Sequence, residues 1–79
     1  MFDRISVNPQ VMGGKLCVKG TRVAVYMVLE LLENDLSFDD IINNYYPQLT
    51  KEDIIACIEY ARTIVEEEEV HFASELVKS

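Results

Sequence analysis

The first part of the chain alternates short apolar stretches with turn residues. Residues 4–7 alternate polar and apolar positions, as a half-buried strand does, and Pro9 ends this strand because it has no amide proton to donate to a neighbour. The pair Gly13-Gly14 supplies a tight turn before a second apolar stretch at residues 15–19, and Gly20 supplies another. The pattern predicts short β segments and turns over residues 1–24.

From residue 25 onward the apolar positions follow the period of a helix. The first stripe has the spacing i, i+3, i+4, i+7 and consists of Val25, Val28, Leu29 and Leu32. The second has the same spacing and consists of Phe38, Ile41, Ile42 and Tyr45. The third consists of Ile54, Ile58, Ala61 and Val65, with Ile55 beside it. These stripes predict three helices of about ten, eight and fifteen or more residues.

Local signals mark where these helices begin and end. Asn34-Asp35 is a stop, Ser37 is an N-cap, Pro47 ends the second helix and Thr50 caps the third. The short link at residues 46–49 has the length of a helix-turn-helix. We therefore predict a mainly α single domain over residues 1–79, with a three-helix, helix-turn-helix core at residues 25–65 and an acidic extension at residues 66–79. On pattern alone, a three-helix bundle without a nucleic-acid function is equally well supported.

The composition indicates contact with another chain. Hydrophobic residues make up 49% of only 79 residues, which is more than a domain of this size readily buries, so we expect a dimer or a heteromeric complex. We expect a cytoplasmic protein without a secretion signal or membrane span, because the longest apolar run, residues 23–29, is short. Cys17 and Cys57 are then expected to be free, buried thiols.

Charge is distributed unevenly along the chain. Residues 1–29 carry four basic residues and one acidic residue, a net charge of +3, whereas residues 30–79 have a net charge of −10. A basic beginning and an acidic remainder predict two surfaces that attract different partners.

Two stretches resemble the opening of the domain-of-unknown-function 433 family: residues 4–9, RISVNP, and residues 13–23, GGKLCVKGTRV. Further similarity extends the resemblance to about residue 62. Leu16 departs from the family, which usually has proline there, and the acidic tail after Arg62 lies outside the resemblance. The resemblance implies a prokaryotic, homeodomain-like helix-turn-helix protein that acts as the antitoxin of a toxin–antitoxin pair. Such a protein would cap a PIN-like nuclease toxin and repress its own promoter by binding operator DNA.

Two sets of residues are the candidates for these contacts. The candidate DNA-binding residues are basic: Arg4, Lys15, Lys19, Arg22 and Lys51. The candidate toxin-binding residues belong to the acidic extension: Glu66, Glu67, Glu68, Glu69, Phe72 and Leu76. Ordinary solvated charge is the alternative interpretation of both sets. The third helix occupies the position of a recognition helix, but its acidic first turn makes it a poor reader of DNA.

We expect no catalysis, cofactor, metal or small-molecule substrate. The segment Gly13-Gly14-Lys15 is followed by Leu16, not by the serine or threonine of a phosphate-binding loop. His71 is the only histidine and makes neither a metal site nor a triad. The alternative to an antitoxin is a small oligomeric scaffold or interaction module with no nucleic-acid role.

Overall fold

The computed structural model describes residues 3–11 and 13–78, with side chains through residue 67. In these residues a two-stranded antiparallel sheet precedes three helices. The elements are β1 (Ile5–Asn8), β2 (Lys15–Val18), α1 (Val25–Glu33), α2 (Phe38–Asp40), which continues as a π-helical segment (Ile41–Tyr45), and α3 (Lys51–Lys78). Short β segments followed by three helices are therefore confirmed.

The β1–β2 hairpin is closed by a turn that needs glycine. Strand pairing runs from Ile5 opposite Val18 to Asn8 opposite Lys15. Gly13 and Gly14 have φ angles of 73° and 102°, which a residue with a Cβ rarely adopts. A Cβ on Gly14 would meet only an ordinary contact at 3.7 Å, so the backbone angle, and not a lack of space, is what requires glycine.

Local hydrogen bonds end α1 and begin α2. Asp35 takes a left-handed φ of 67°, and the amide of Leu36 donates to the carbonyl of Leu31 at 3.2 Å, which together form a Schellman motif. The Ser37 hydroxyl accepts from the Asp40 amide at 3.1 Å, and the Asp40 carboxylate accepts from the Ser37 amide at 3.2 Å. The predicted stop and the predicted N-cap are both confirmed.

The π-helical segment changes which tyrosine reaches the core. The amide of Tyr46 donates to the carbonyl of Ile41 at 2.8 Å, five residues earlier, so this turn is one residue wider than an α-helical turn. Tyr46 packs against the core, whereas Tyr45 is 49% exposed. The predicted place of Tyr45 on the apolar stripe of the second helix is wrong, because the wider turn shifts the buried face by one residue.

The core lies between the hairpin and the three helices. Its buried residues are Val18, Val23, Val25, Val28, Ile41, Leu49, Ile54 and Cys57. On the other side of the hairpin, Cys17 packs with Val11 and Ala24, so β2 is covered on both faces. Cys17 and Cys57 are free and buried, as predicted.

Among the α3 residues whose side chains are described, those that pack in the core lie near the beginning of the helix. Ile54 and Cys57 are fully buried, but Ile58 is 38% and Val65 57% exposed. The predicted stripe through Ile58 and Val65 is wrong, because the buried face turns through Cys57 and because the helix continues past the core. Its 28 residues span about 42 Å at 1.5 Å per residue, in a molecule 47 Å long. No helix among the described residues has the length and apolar character that crossing a membrane requires.

Candidate functional site

The basic residues selected from the sequence are all exposed, but they do not form one compact cluster. The carbonyl of Arg4 accepts from the amide of Lys19 at 2.7 Å, so these two residues are neighbours at one end of the hairpin. Lys15 begins β2 at the opposite end, about 13 Å from Lys19 along the strand. This distance exceeds the screening length in physiological salt, so the two ends act as separate cationic sites.

Arg4 is tied to the start of α3. Its Nη1 lies 3.0 Å from Oδ1 of Asp53, whose side chain is only 12% exposed. The other carboxylate oxygen of Asp53 accepts from the Thr50 amide at 2.9 Å, and the Thr50 hydroxyl accepts from the Asp53 amide at 3.2 Å. Thr50 is thereby confirmed as the cap of α3. The charge of Arg4 is partly neutralised by a structural contact, which leaves it less available to phosphates.

The remaining candidate cations differ in their surroundings. Lys15 Nζ lies 5.9 Å from the ring centroid of Tyr26, a cation–π contact. The Arg22 guanidinium donates to the Gln10 side chain at 3.5 Å, close to the turn at Gly20. Lys51 is the first residue of α3 and is followed by two acidic residues. The turn at residues 19–22 is therefore the most strongly basic exposed part of this set.

The acidic candidates lie on the second half of α3. Glu66 and Glu67 are exposed, and Arg62 Nη1 lies 2.5 Å from Glu66 Oε1, one helical turn away. The other predicted partner-facing residues belong to α3, but their side chains lie outside the described residues: Glu68, Glu69, Phe72 and Leu76. The predicted tail is thus a direct continuation of the third helix through Lys78.

An open apolar groove of about 370 Å³ lies between β2, α1 and the middle of α3. Its apolar lining consists of Leu16, Val25, Leu29, Ala61, Ile64 and Val65. Lys15, Tyr26 and Tyr60 also line it and contribute polar ends. The sequence prediction missed this groove, although positions 54, 57, 61 and 64 form a stripe with helical spacing that leads to its α3 wall.

Two groups have perturbed acid–base properties. Burial, followed by the charge of Asp53, raises the pKa of the Cys57 thiol to about 11. Burial, followed by the charges of Glu30 and Tyr26, raises the pKa of Tyr46. Both groups stay protonated at neutral pH, so the Cys57 thiol is a poor nucleophile there. Among the residues whose side chains are described, no three His, Cys, Asp or Glu residues are placed to hold a metal ion.

Residues 5–61 match the family model described as "Protein of unknown function (DUF433)". The chain belongs to the DUF433 family. A crystal structure of a DUF433 member protein from Anabaena variabilis ATCC 29413 is similar, with a TM-score of 0.69 and 27% sequence identity over 89% of this chain and 68% of that chain. A comparison with curated proteins gives no match. The resemblance found from residues 4–62 is confirmed.

The DUF433 match ends inside α3. It includes the hairpin, α1, α2 and the first eleven residues of α3, and it stops at Ala61 in the wall of the groove. The acidic second half of α3 lies outside the match, as the sequence indicated. The family description assigns no activity, so the function of this DUF433 protein has to be argued from its surfaces.

Proposed function

We propose that this DUF433 protein is a cytoplasmic, antitoxin-like protein of a prokaryotic toxin–antitoxin pair, which binds a nuclease-like toxin and also operator DNA. The observation that carries the proposal is the course of α3, which continues past the core with Val65, Glu66 and Glu67 exposed. The antitoxin role that the resemblance to the DUF433 family implies adds support. An exposed helix that combines apolar and acidic side chains suits a partner with a cationic groove.

The nucleic-acid-binding cleft of a nuclease is such a groove. Carboxylates of α3 would occupy positions that phosphates of the substrate otherwise take, while apolar side chains such as Val65 are removed from water. Binding of this kind blocks the nuclease by occupying its cleft and needs no catalytic group on the antitoxin. The four consecutive glutamates at residues 66–69 give this part of α3 the charge that the contact requires.

Co-expression with the product of the adjacent open reading frame tests the proposal. We expect the two proteins to co-purify and the partner's ribonuclease activity to be inhibited. The double variant Glu66→Gln/Glu67→Gln should weaken the complex about tenfold or more at low salt. The matched control is Glu30→Gln/Glu33→Gln, which removes the same charge from exposed positions on α1. Absence of a complex, or equal affinity of the two double variants, would contradict the proposal.

DNA binding is the second part of the proposed function. The π-helical segment and α3 are separated by residues 46–50, and α2 with α3 would form the helix-turn-helix pair of a homeodomain-like protein. Because α3 begins Lys51-Glu52-Asp53, we assign the main phosphate contacts to Lys19 and Arg22 in the turn after β2, and a separate contact to Lys15 at the start of β2. Lys51 adds one further positive charge. Arg4 contributes least, since it is paired with Asp53.

A scaffold or interaction module without a nucleic-acid role is the alternative, and the apolar groove favours it. The groove offers apolar surface to another protein and requires no DNA for that contact. A mobility-shift experiment with the DNA upstream of the gene separates the two functions. A sequence-selective shift that weakens as salt increases supports the antitoxin, and no shift at low salt supports the scaffold.

A further inference from the structure

We infer that the groove between β2, α1 and the middle of α3 binds α3 of a second copy of this chain, forming a two-fold symmetric dimer. The inference concerns the chain alone and goes beyond toxin and DNA binding. It also differs from association through the β strands, because the contacting element is a helix. Because the dimer contact uses Lys15 and the part of α3 at residues 65–67, the dimer and the proposed toxin complex exclude each other.

Three large, partly exposed hydrophobic side chains lie around the groove. Val65 is 57%, Tyr26 44% and Ile64 37% exposed, and all three line the same groove. Contiguous apolar surface of this kind marks a binding site, since leaving it in water forgoes about 25 cal/mol for every Å². A contact that covers these side chains therefore stabilises the protein.

The α3 wall of the groove suits self-association through α3. One of its walls is α3 itself, and Ala61 is the smallest side chain in that wall, so another helix can approach closely there. In a two-fold arrangement each α3 packs beside its partner's α3 and fills the partner's groove. One contact then covers both grooves, whereas a head-to-tail contact leaves one groove and one helix uncovered.

The charges around the groove are complementary to the same occupant. Lys15 lines the groove at the start of β2, and Glu66 and Glu67 follow directly after the groove residue Val65 in α3. A partner's α3 seated in the groove brings its glutamates within one helical turn of the apolar contact and towards Lys15. The basic beginning of one copy and the acidic helix of the other attract each other in both halves of the dimer.

Sedimentation equilibrium of the purified chain tests the inference without any toxin or DNA. We expect the unaltered chain to be a dimer at about 0.1 mM and Ile64→Glu to weaken dimerisation about tenfold or more. Ile55→Glu is the matched control: Ile55 is 51% exposed, and nine positions, about 2.5 helical turns, place it on the opposite face of α3 from Ile64. This control should remain a dimer. Circular dichroism verifies that each variant is folded.

A charge exchange gives a second readout. Lys15→Glu should weaken the dimer, and combining it with Glu66→Lys/Glu67→Lys should restore part of the affinity, which a merely structural role of Lys15 would not produce. The inference is overturned by a monomeric unaltered chain at this concentration, or by equal dissociation of Ile55→Glu and Ile64→Glu. It is also overturned if Val7→Glu, at a 61% exposed position in β1, dissociates the dimer while Ile64→Glu does not.

Discussion

Arg4 and Asp53, 49 residues apart in the sequence, are joined by a 3.0 Å hydrogen bond from the guanidinium to the carboxylate. The same carboxylate accepts from the amide of Thr50 and so caps the first turn of α3. Asp53 therefore has two roles. Its carboxylate accepts a hydrogen bond from a backbone amide at the start of α3, and it links that helix to the N-terminal hairpin through Arg4. The Arg4–Asp53 pair adds a polar link between the hairpin and α3 to the core contacts that Ile54 and Cys57 make.

We expect Asp53→Ala to lower the free energy of unfolding by about 1–3 kcal/mol, because it removes the carboxylate that accepts from the Thr50 amide and leaves Arg4 without its partner. Arg4→Gln should cost less than about 1 kcal/mol, since the arginine side chain is 51% exposed and the pair is screened by solvent. Urea unfolding of each variant measures both values. The control is Arg62→Gln, which breaks a more exposed pair within α3. A loss for Asp53→Ala no larger than for this control would contradict the double role.

The two adjacent tyrosines at the end of the π-helical segment should respond differently to truncation. Tyr46→Ala removes a ring that packs against the core, and we expect it to cost about 2–3 kcal/mol of unfolding free energy. Tyr45→Ala removes a ring that is 49% exposed and should cost less than about 1 kcal/mol. Thermal or urea unfolding of the two variants measures the difference. Similar losses, or a larger loss at Tyr45, would mean that this turn is α-helical.

The parts of the fold that sequence reasoning anticipated are those that neighbouring residues determine. Ser37 and Asp40 complete a capping box within four residues, and Gly13-Gly14 forms a turn that its own backbone angles require. The amphipathic stripe of α1 also needs nothing beyond its own spacing, and its residues Val25 and Val28 are buried as predicted. Such features follow from local hydrogen bonding and helical period alone.

The parts that were missed depend on distant residues or on small changes of helical period. The Arg4–Asp53 pair joins opposite ends of the domain, and no local pattern marks it. The single wide turn that begins at Ile41 places Tyr46, and not Tyr45, against the core. The apolar pattern of the sequence is compatible with either tyrosine. The groove forms only where β2, α1 and α3 come together. The sequence shows its α3 side as a stripe with helical spacing, but it does not show which residues of β2 and α1 lie opposite that stripe.

Asp35 is a residue whose replacement should stabilise the protein. Its φ of 67° closes the Schellman motif after α1, and glycine adopts this conformation without the steric cost that aspartate has. We expect Asp35→Gly to raise the free energy of unfolding by about 0.5–1 kcal/mol, measured as a higher urea midpoint, because the steric cost removed, about 1–2 kcal/mol, exceeds the entropy that glycine adds to the unfolded chain. Asp35→Ala keeps a Cβ in the same place and is the control; it should not stabilise. Equal effects of the two substitutions would indicate that charge, and not backbone conformation, is responsible.

The Cys57 thiol should make the protein less stable in alkali. Its pKa is about 11 in the folded chain, compared with an ordinary value of 9.0, so the folded state holds the proton more tightly than the unfolded state. The thiol therefore contributes its full stabilisation below pH 9. As the pH rises to 11 the free energy of unfolding falls by about 3 kcal/mol in total. The raised pKa of Tyr46 acts in the same direction at high pH.

Urea midpoints across this pH range measure the effect. Cys57→Ala should lower stability at neutral pH by leaving a small cavity, but it should flatten the alkaline decrease because the titrating group is gone. Cys17→Ala removes the other buried thiol and should keep the alkaline decrease, since Cys57 is still present. An unchanged slope in Cys57→Ala would assign the alkaline loss to Tyr46 or to another group.

The basic turn at residues 19–22, which follows β2, should determine the salt dependence of DNA binding by the proposed antitoxin. Each phosphate contact made by Lys or Arg contributes about one unit to the slope of log affinity against log salt, so Lys19→Ala/Arg22→Ala should reduce this slope by about two and weaken binding to all sequences alike. Mobility-shift titrations at several salt concentrations measure it. Arg62→Ala removes an exposed cation from α3 and is the control, which should leave the slope unchanged. If Arg62→Ala changes the slope as much per charge removed as the double variant does, then DNA binding depends on overall charge, and the turn at residues 19–22 is not the DNA-binding surface.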